Sequence, residues 1–129
     1  MAIFGAPIVH PNDAERAVKA ALKMQEKNRE FNRNRKNRGL KELEIGIGIN
    51  SGMAVAGNIG SDRRMEYSVI GDTVNTASRV QALAEAGQVV ITQTTYDYVK
   101  DMVKAVKKGP VEIKGEKEPL NLYIVESVI

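Results

Sequence analysis

The rhythm of apolar and polar positions changes several times along the chain, and each change marks an element. Ala2-Ile3-Phe4 is a short apolar run ended by Gly5-Ala6-Pro7, and it reads as the last half of a strand whose beginning is missing. After Asn12, the expected helix cap, Ala14, Ala17, Val18, Ala21, Leu22 and Gln25 recur at spacings of three and four, with Asp13 and Glu15 in the first turn. This helix is expected to fade in the Asn/Arg-rich tract before Gly39. Leu43, Ile45, Ile47 and Ile49 then alternate with Glu42, Glu44, Gly46 and Gly48, the pattern of a strand with one buried face. Asn50-Ser51-Gly52 is turn chemistry, so residues 53–56 are expected to return as the second arm of a hairpin.

A polar loop is expected over 57–64, followed by a short strand at 67–70. Gly71-Asp72 starts a helix over about 73–86, with Asp72 as its expected cap and Gly87 as its stop. Next come a strand at 89–91, a helix at about 95–103, a strand at 111–114 and a final strand at 120–125. Strands alternate with helices, but hairpins are mixed in, which favours an α+β domain with a mixed or antiparallel sheet over a doubly wound parallel one.

At 129 residues the chain is one domain's worth, expected as a single unit over 1–129. A chain of this length buries roughly two thirds of its unfolded surface, so it needs no staples. The composition, 43% hydrophobic and 27% charged, is that of a globular domain, and no apolar run is long enough to span a membrane. With no Cys and only His10, thiol catalysis, Cys-type zinc sites and multi-histidine metal sites are excluded. The formal charge of +3 comes from one tract, in which Lys27, Arg29, Arg33, Arg35, Lys36, Arg38 and Lys41 face the lone Glu30. That tract reads as a solvated helix end and polar loop. Beyond Phe31 it has no interleaved aromatics on which single strands could stack.

Gly46-Ile47-Gly48-Ile49-Asn50-Ser51-Gly52 places its third glycine one residue late for a dinucleotide fingerprint, and a strand rather than a helix is expected after it. Its glycines instead leave one sheet face bare for close approach of a backbone or a ligand. No P-loop pattern occurs, and Gly57-Asn58-Ile59-Gly60 lacks the helix-to-helix setting of an RNA-binding GxxG loop. His10, beside Pro11, reads as a surface turn residue.

The helix after Gly71-Asp72 carries more. Ala77, Val80, Leu83 and Ala84 cluster on one side of it, while Asn75 and Arg79, four apart, share a flank facing away from the core. The string Glu66-Tyr67-Ser68-Val69-Ile70-Gly71-Asp72-Thr73-Val74-Asn75-Thr76-Ala77-Ser78-Arg79 closely resembles the signature of the class III nucleotidyl cyclases, the adenylyl and guanylyl cyclase catalytic domain. The resemblance extends in order through Ala2 to Pro7, Ala17 to Gln25, Ile45 to Gly52, Gly57 to Ser61 with Arg64, and Ile113-Lys114-Gly115.

The resemblance implies a ferredoxin-like βαββαβ core and two domains paired head to tail with nucleotide sites at their interface. It also implies that Asn75 and Arg79 stabilise the ribose and the transition-state phosphate. Lys114 would contact the terminal phosphates, and Ser68 would face the base, with Val69 beside it in the nucleotide site. The family's two metal-binding aspartates and the base-recognising lysine of adenylyl cyclases match no position here and would precede residue 1. None of Asp13, Asp62, Asp72, Asp97 and Asp101 matches a metal position. The chain is therefore expected to be the C-terminal portion of a cyclase domain, lacking the first strand and helices and inactive alone.

The expected activity is conversion of ATP to cyclic AMP and pyrophosphate with two magnesium or manganese ions, whose ligands this chain lacks. Ser68 favours adenylyl over guanylyl, because it is nearest to the Thr of a group of mainly bacterial adenylyl enzymes, whereas guanylyl enzymes usually carry Cys there. The expected partners are ATP and a second cyclase domain in a homodimer, with no nucleic acid and no membrane contact. The expected location is the cytoplasm, including the cytoplasmic part of a larger membrane-attached signalling protein. The alternatives are a guanylyl cyclase, a non-catalytic nucleotide-binding or dimerisation module, and a basic RNA-binding domain.

Overall fold

The computed structural model describes residues 1–61 and 64–129, with the backbone alone at 59–61 and 64–68. In chain order the elements are α1 (Asp13–Asn37), β1 (Ile47–Ile49), β2 (Val55–Ser61), β3 (Arg64–Ile70), α2 (Asp72–Leu83), β4 (Val89–Thr92), α3 (Gln93–Val99), β5 (Val103–Val111) and β6 (Leu120–Val128). One sheet has the order β1-β4-β6-β5, and β2 with β3 forms a separate two-stranded ribbon. β1 and β4 run parallel, while β6 is antiparallel to both β4 and β5. The mixed sheet of the α+β expectation is thus present.

The layers are built on β4, whose four residues are all buried. Successive side chains of a strand point to opposite faces, so a strand covered on both sides reads as an unbroken apolar run. Val89 and Ile91 pack with Val18 and Ala21 of α1 and with Val99, Val103 and Val125. Val90 points the other way, to Val80 of α2, Ile113 and Leu122. Helices α1 and α3 therefore cover one face and α2 the other.

β1 shows why α2 lies so close. Ile47 and Ile49 join the α1 side, leaving Gly46 and Gly48 toward α2. A Cβ added at Gly46 would fall 2.6 Å from the Ala84 carbonyl oxygen, and one at Gly48 would fall 2.6 Å from the Gln81 Cα. The bare face read from the sequence is filled by a helix backbone, not by a ligand.

Buried polar residues of α1 hold the approach to this sheet. The Gln25 amide donates to the carbonyls of Ile45 and Gln88, each at 3.0 Å. Asn32 brackets Leu43, donating to its carbonyl at 2.9 Å and accepting its N–H at 2.8 Å. These bonds explain how α1 continues through the Arg-rich tract to Asn37 with polar side chains on its inner face.

The structure departs from the sequence pattern at several places. Residues 53–56 do not fold back on β1: β2 pairs with β3, with Val55 opposite Ile70 and Gly57 opposite Ser68. The expected polar loop over 57–64 is largely the body of that ribbon, and the strand expected at 67–70 begins at Arg64. The physical reason lies at the end of β1. Asn50 Oδ1 accepts from the Thr92 and Thr94 hydroxyls and Ser51 Oγ lies 2.8 Å from Thr95 Oγ1, so the chain is tied to the end of β4 instead of reversing.

The strand expected at 111–114 lies earlier, as β5, and residues 112–114 have left the sheet for a turn. Exposed lysines on this edge strand hide its apolar alternation. The helix expected at 95–103 is α3, and Val103 already belongs to β5. Residues 2–4 form no strand, and the Arg16 guanidinium lies 5.6 Å from the centroid of the Phe4 ring. Gly71, with φ of 138°, takes the cap position expected for Asp72, which stands in the first turn of α2. Asn12 occupies the cap of α1 without a side-chain bond; Asp13 accepts the His10 N–H instead.

Gly48→Ala is expected to destabilise the fold by about 1–3 kcal/mol, because its methyl must push α2 off β1. Gly57→Ala, where a Cβ meets nothing within 4 Å, is the control and is expected to change stability by less than about 0.5 kcal/mol. Urea midpoints of the two variants check this.

Candidate active site

The candidate site is organised by α2, which is anchored along its length. At its start Asn50 Nδ2 donates to the Thr73 carbonyl at 3.0 Å, and the Thr73 hydroxyl donates to the Met53 carbonyl at 2.6 Å. At its end Lys108 Nζ donates to the Leu83 carbonyl at 3.1 Å. Thr76 and Val80 are the buried residues of the helix. The sequence pattern gives no sign that Thr76 faces inward, and Leu83, expected as a core position, is 37% exposed. Asn75 is exposed and Arg79 half-buried, on a flank of α2 away from Val80.

The structure brings Lys114 to this flank. Residues 113–116 form a turn closed by the Glu116 N–H donating to the Ile113 carbonyl at 3.1 Å. Ile113 is buried beside Val80, and Gly115 adopts φ of +90°, which marks the third position of a type II turn. The Arg79 guanidinium lies directly against Gly115: a Cβ there would fall 2.5 Å from Arg79 Nη1. Lys114, the residue before it, is exposed on the rim of a concavity of about 380 Å³ that also includes Glu116 and Lys117. Among the described residues no carboxylate lies within ion-pair distance of Arg79 or Lys114. Two cations, each able to hold phosphate oxygens, thus stand on adjoining pieces of backbone.

Val69 is half-buried in β3 opposite Ala56, three residues before α2 begins. The Ser68 backbone pairs with Gly57, and its side chain lies outside the described residues. No described contact brings Ser68 or Val69 together with Arg79. A second concavity, about 340 Å³ and lined by α1, Val89 and Val125, lies on the opposite face of the sheet from α2.

The described carboxylates do not fit a pair of catalytic ions. Among the described residues no group of three or more His, Asp or Glu side chains could hold a metal. Asp13 is engaged by Arg16 at 3.1 Å and Asp97 by Gln93 at 2.8 Å, while Asp62 lies outside the described residues.

Sequence reasoning missed two parts of this arrangement. One is the link from the Thr76 hydroxyl to Glu116 Oε1, at 2.6 Å. Its signal was a hydroxyl on the same side of the helix as Val80, where burial demands a partner. The other is the hydroxyl cluster that joins Asn50 and Ser51 to Thr92, Thr94 and Thr95. Its signal was the run Thr92-Gln93-Thr94-Thr95 at a strand-to-helix junction.

Residues 1–127 match the family model of the adenylate and guanylate cyclase catalytic domain. Over 99% of its length the chain is 34% identical to adenylate cyclase 1 of Rhizobium meliloti, covering 20% of that protein. It is also 34% identical over 98% of its length to soluble guanylate cyclase 89Da of Drosophila melanogaster, covering 18% of that protein. Among solved structures, the adenylyl cyclase CyaB from P. aeruginosa superposes with a TM-score of 0.92 at 35% identity, over 96% of this chain and 65% of that one. The guanylyl cyclase Cya2 superposes with a TM-score of 0.91 at 40% identity, over 98% of this chain and 64% of that one. The chain thus spans about a fifth of these curated relatives and about two thirds of these solved chains. A family match over nearly the whole chain, together with structural likeness to cyclases of both nucleotide classes, identifies it as a member of the class III adenylyl and guanylyl cyclase catalytic-domain family.

Proposed function

We propose that this chain supplies the phosphate-binding part of an adenylyl cyclase site, in a protein that converts ATP to 3′,5′-cyclic AMP and pyrophosphate. The observation that carries the reading is the contact of the Arg79 guanidinium with Gly115, which sets Arg79 beside the turn bearing Lys114 and one helical turn from Asn75. In the reaction the ribose 3′-oxygen bonds to the α-phosphorus and the bond from that phosphorus to the bridging oxygen breaks. Pyrophosphate leaves, and the 3′ proton passes to solvent. Negative charge grows on the phosphate oxygens as this happens, and a guanidinium held against a backbone surface donates to them without first reorganising. Arg79 has that role.

Asn75, on the same flank, orients the ribose so that the attacking oxygen stays in line. Lys114, a compact point charge, holds the terminal phosphates of the substrate and of departing pyrophosphate. Ser68, on the strand leading into α2, is assigned to the base, with Val69 beside it in the nucleotide site. A second cyclase domain, paired head to tail as a homodimer, completes the site, and the domain works in the cytoplasm, where ATP is abundant. Among the described residues no helix is long and apolar enough to cross a membrane. No three His, Asp or Glu side chains among the described residues gather into an ion cradle. The 129-residue chain alone is expected to form cyclic nucleotide at no more than trace level with either ion, checked by product assay on the purified chain.

The guanylyl reading is favoured by the likeness to guanylyl cyclases, Cya2 at 40% identity among them. Ser68 supports the adenylyl one. A single hydroxyl can accept from adenine's amine or donate to guanine's carbonyl, so its contribution to the choice is small. With the chain preceded by the metal-binding strands of the family, ATP is expected to be preferred over GTP. Ser68→Ala should reduce that preference by no more than about 1–2 kcal/mol, the scale of one neutral hydrogen bond. Competition assays reading both cyclic products decide it, and a GTP preference would reverse the adenylyl assignment.

In the same protein Arg79→Ala is expected to lower turnover by about 10²-fold or more with a smaller change in KM, the pattern of an interaction made mainly in the transition state. Lys114→Ala is expected instead to raise KM for ATP. Steady-state kinetics separate the two, and turnover of Arg79→Ala within about threefold of the parent would return that flank of α2 to an ordinary solvated surface.

A further inference from the structure

We propose that Thr76 and Glu116 form a latch that positions Arg79 and Lys114 relative to each other, with Gly115 as the floor on which the guanidinium rests. The proposal builds on the phosphate-binding role given to Arg79 and Lys114 above.

Thr76 is 5% exposed and precedes Arg79 by three positions, so the two are neighbours on the surface of α2. Its hydroxyl donates to Glu116 Oε1 at 2.6 Å, the short distance of a bond to a charged acceptor. Three independent constraints then act on the turn at 113–116. Ile113 anchors its first residue in the core beside Val80. The Glu116 N–H closes it onto the Ile113 carbonyl. The Glu116 side chain ties its last residue to α2 through Thr76.

Between these fixed ends stand Lys114 and Gly115. Their positions relative to α2 therefore depend on the Thr76–Glu116 bond, since among the described side-chain hydrogen bonds this is the one joining α2 to residues 112–119. Gly115 is required twice, by its φ of +90° and by the guanidinium lying where a Cβ would stand. Releasing the latch lets the turn swing on Ile113, which carries Lys114 away and takes the floor from beneath Arg79. Thr76 and Glu116 are thus positioning residues. Neither needs to touch the nucleotide.

The test uses the complete cyclase domain, with cyclic nucleotide formation and hydrogen exchange at the Glu116 amide as separate readouts. Thr76→Val keeps the shape and removes the hydroxyl, whereas Thr76→Ser keeps the hydroxyl. Thr76→Val is expected to lower turnover about tenfold, the scale of one lost hydrogen bond, and to speed exchange at the Glu116 amide. Thr76→Ser should stay within about twofold of the parent on both counts. Glu116→Ala should match Thr76→Val, and the double variant should be no worse than either single one, because one bond is being broken.

Equal impairment of Thr76→Ser and Thr76→Val, or unchanged turnover in Thr76→Val while Arg79→Ala is impaired, would overturn the latch. If Arg79→Ala itself retains full turnover, the phosphate-binding reading fails. Amide exchange then decides the latch separately: faster exchange in Thr76→Val but not in Thr76→Ser supports it, and unchanged exchange in Thr76→Val refutes it.

Discussion

The close seating of α2 on β1 sets the position of everything else around the site. Gly46 and Gly48 present no Cβ, so the helix backbone at Gln81 and Ala84 comes to rest against the strand. From that seat Val80 points into the core with Val90, Ile113 and Leu122, and the flank bearing Asn75 and Arg79 is left facing outward. Ile113 in turn starts the turn that carries Lys114. A methyl group on β1 would therefore be felt at Arg79 through the helix, without touching it.

Around this seat, polar bonds do what apolar packing cannot, because they fix direction as well as distance. Gln25 spends both of its amide hydrogens on the carbonyls of Ile45 and Gln88, which aligns the entries to β1 and β4. At the other end of the same two strands, Asn50 accepts from Thr92 and Thr94 and donates to Thr73 in the first turn of α2. The parallel pair is thus tied at both ends, and the start of α2 is tied to it. Such buried groups are costly when unpaired, so they select one register among those that hydrophobic contact alone would permit.

The net positive charge has little to do with the site. Lys27 to Lys41 covers the exposed end of α1, where Lys27 pairs with Glu30 and Arg35 donates to the Lys41 carbonyl while lying over the Phe31 ring. Arg79 and Lys114 belong to the other face of the sheet, among residues of nearly balanced charge. Two cations are brought to adjoining backbone there by geometry, from residues 35 positions apart.

The sequence by itself determined the helices α1 and α2, the strand character of residues 47–49 and 89–91, and the outward pairing of Asn75 with Arg79, because each follows from periodicity within one element; the alternation at 42–46 is not realised as strand. The sequence also carried the family, through motifs that run in order along most of the chain. The partner of each strand was beyond it. Residues 53–56 alternate no better with β1 than with β3, and the bonds of Asn50 and Ser51 to Thr92, Thr94 and Thr95, between positions about 40 apart, tie the chain to β4 instead of letting it fold back. The latch between Thr76 and Glu116 and the floor that Gly115 gives to Arg79 were likewise decided only by tertiary structure. Local pattern specifies which way a side chain points from its own backbone; what it meets there depends on residues whose distance along the chain carries no information about their distance in space.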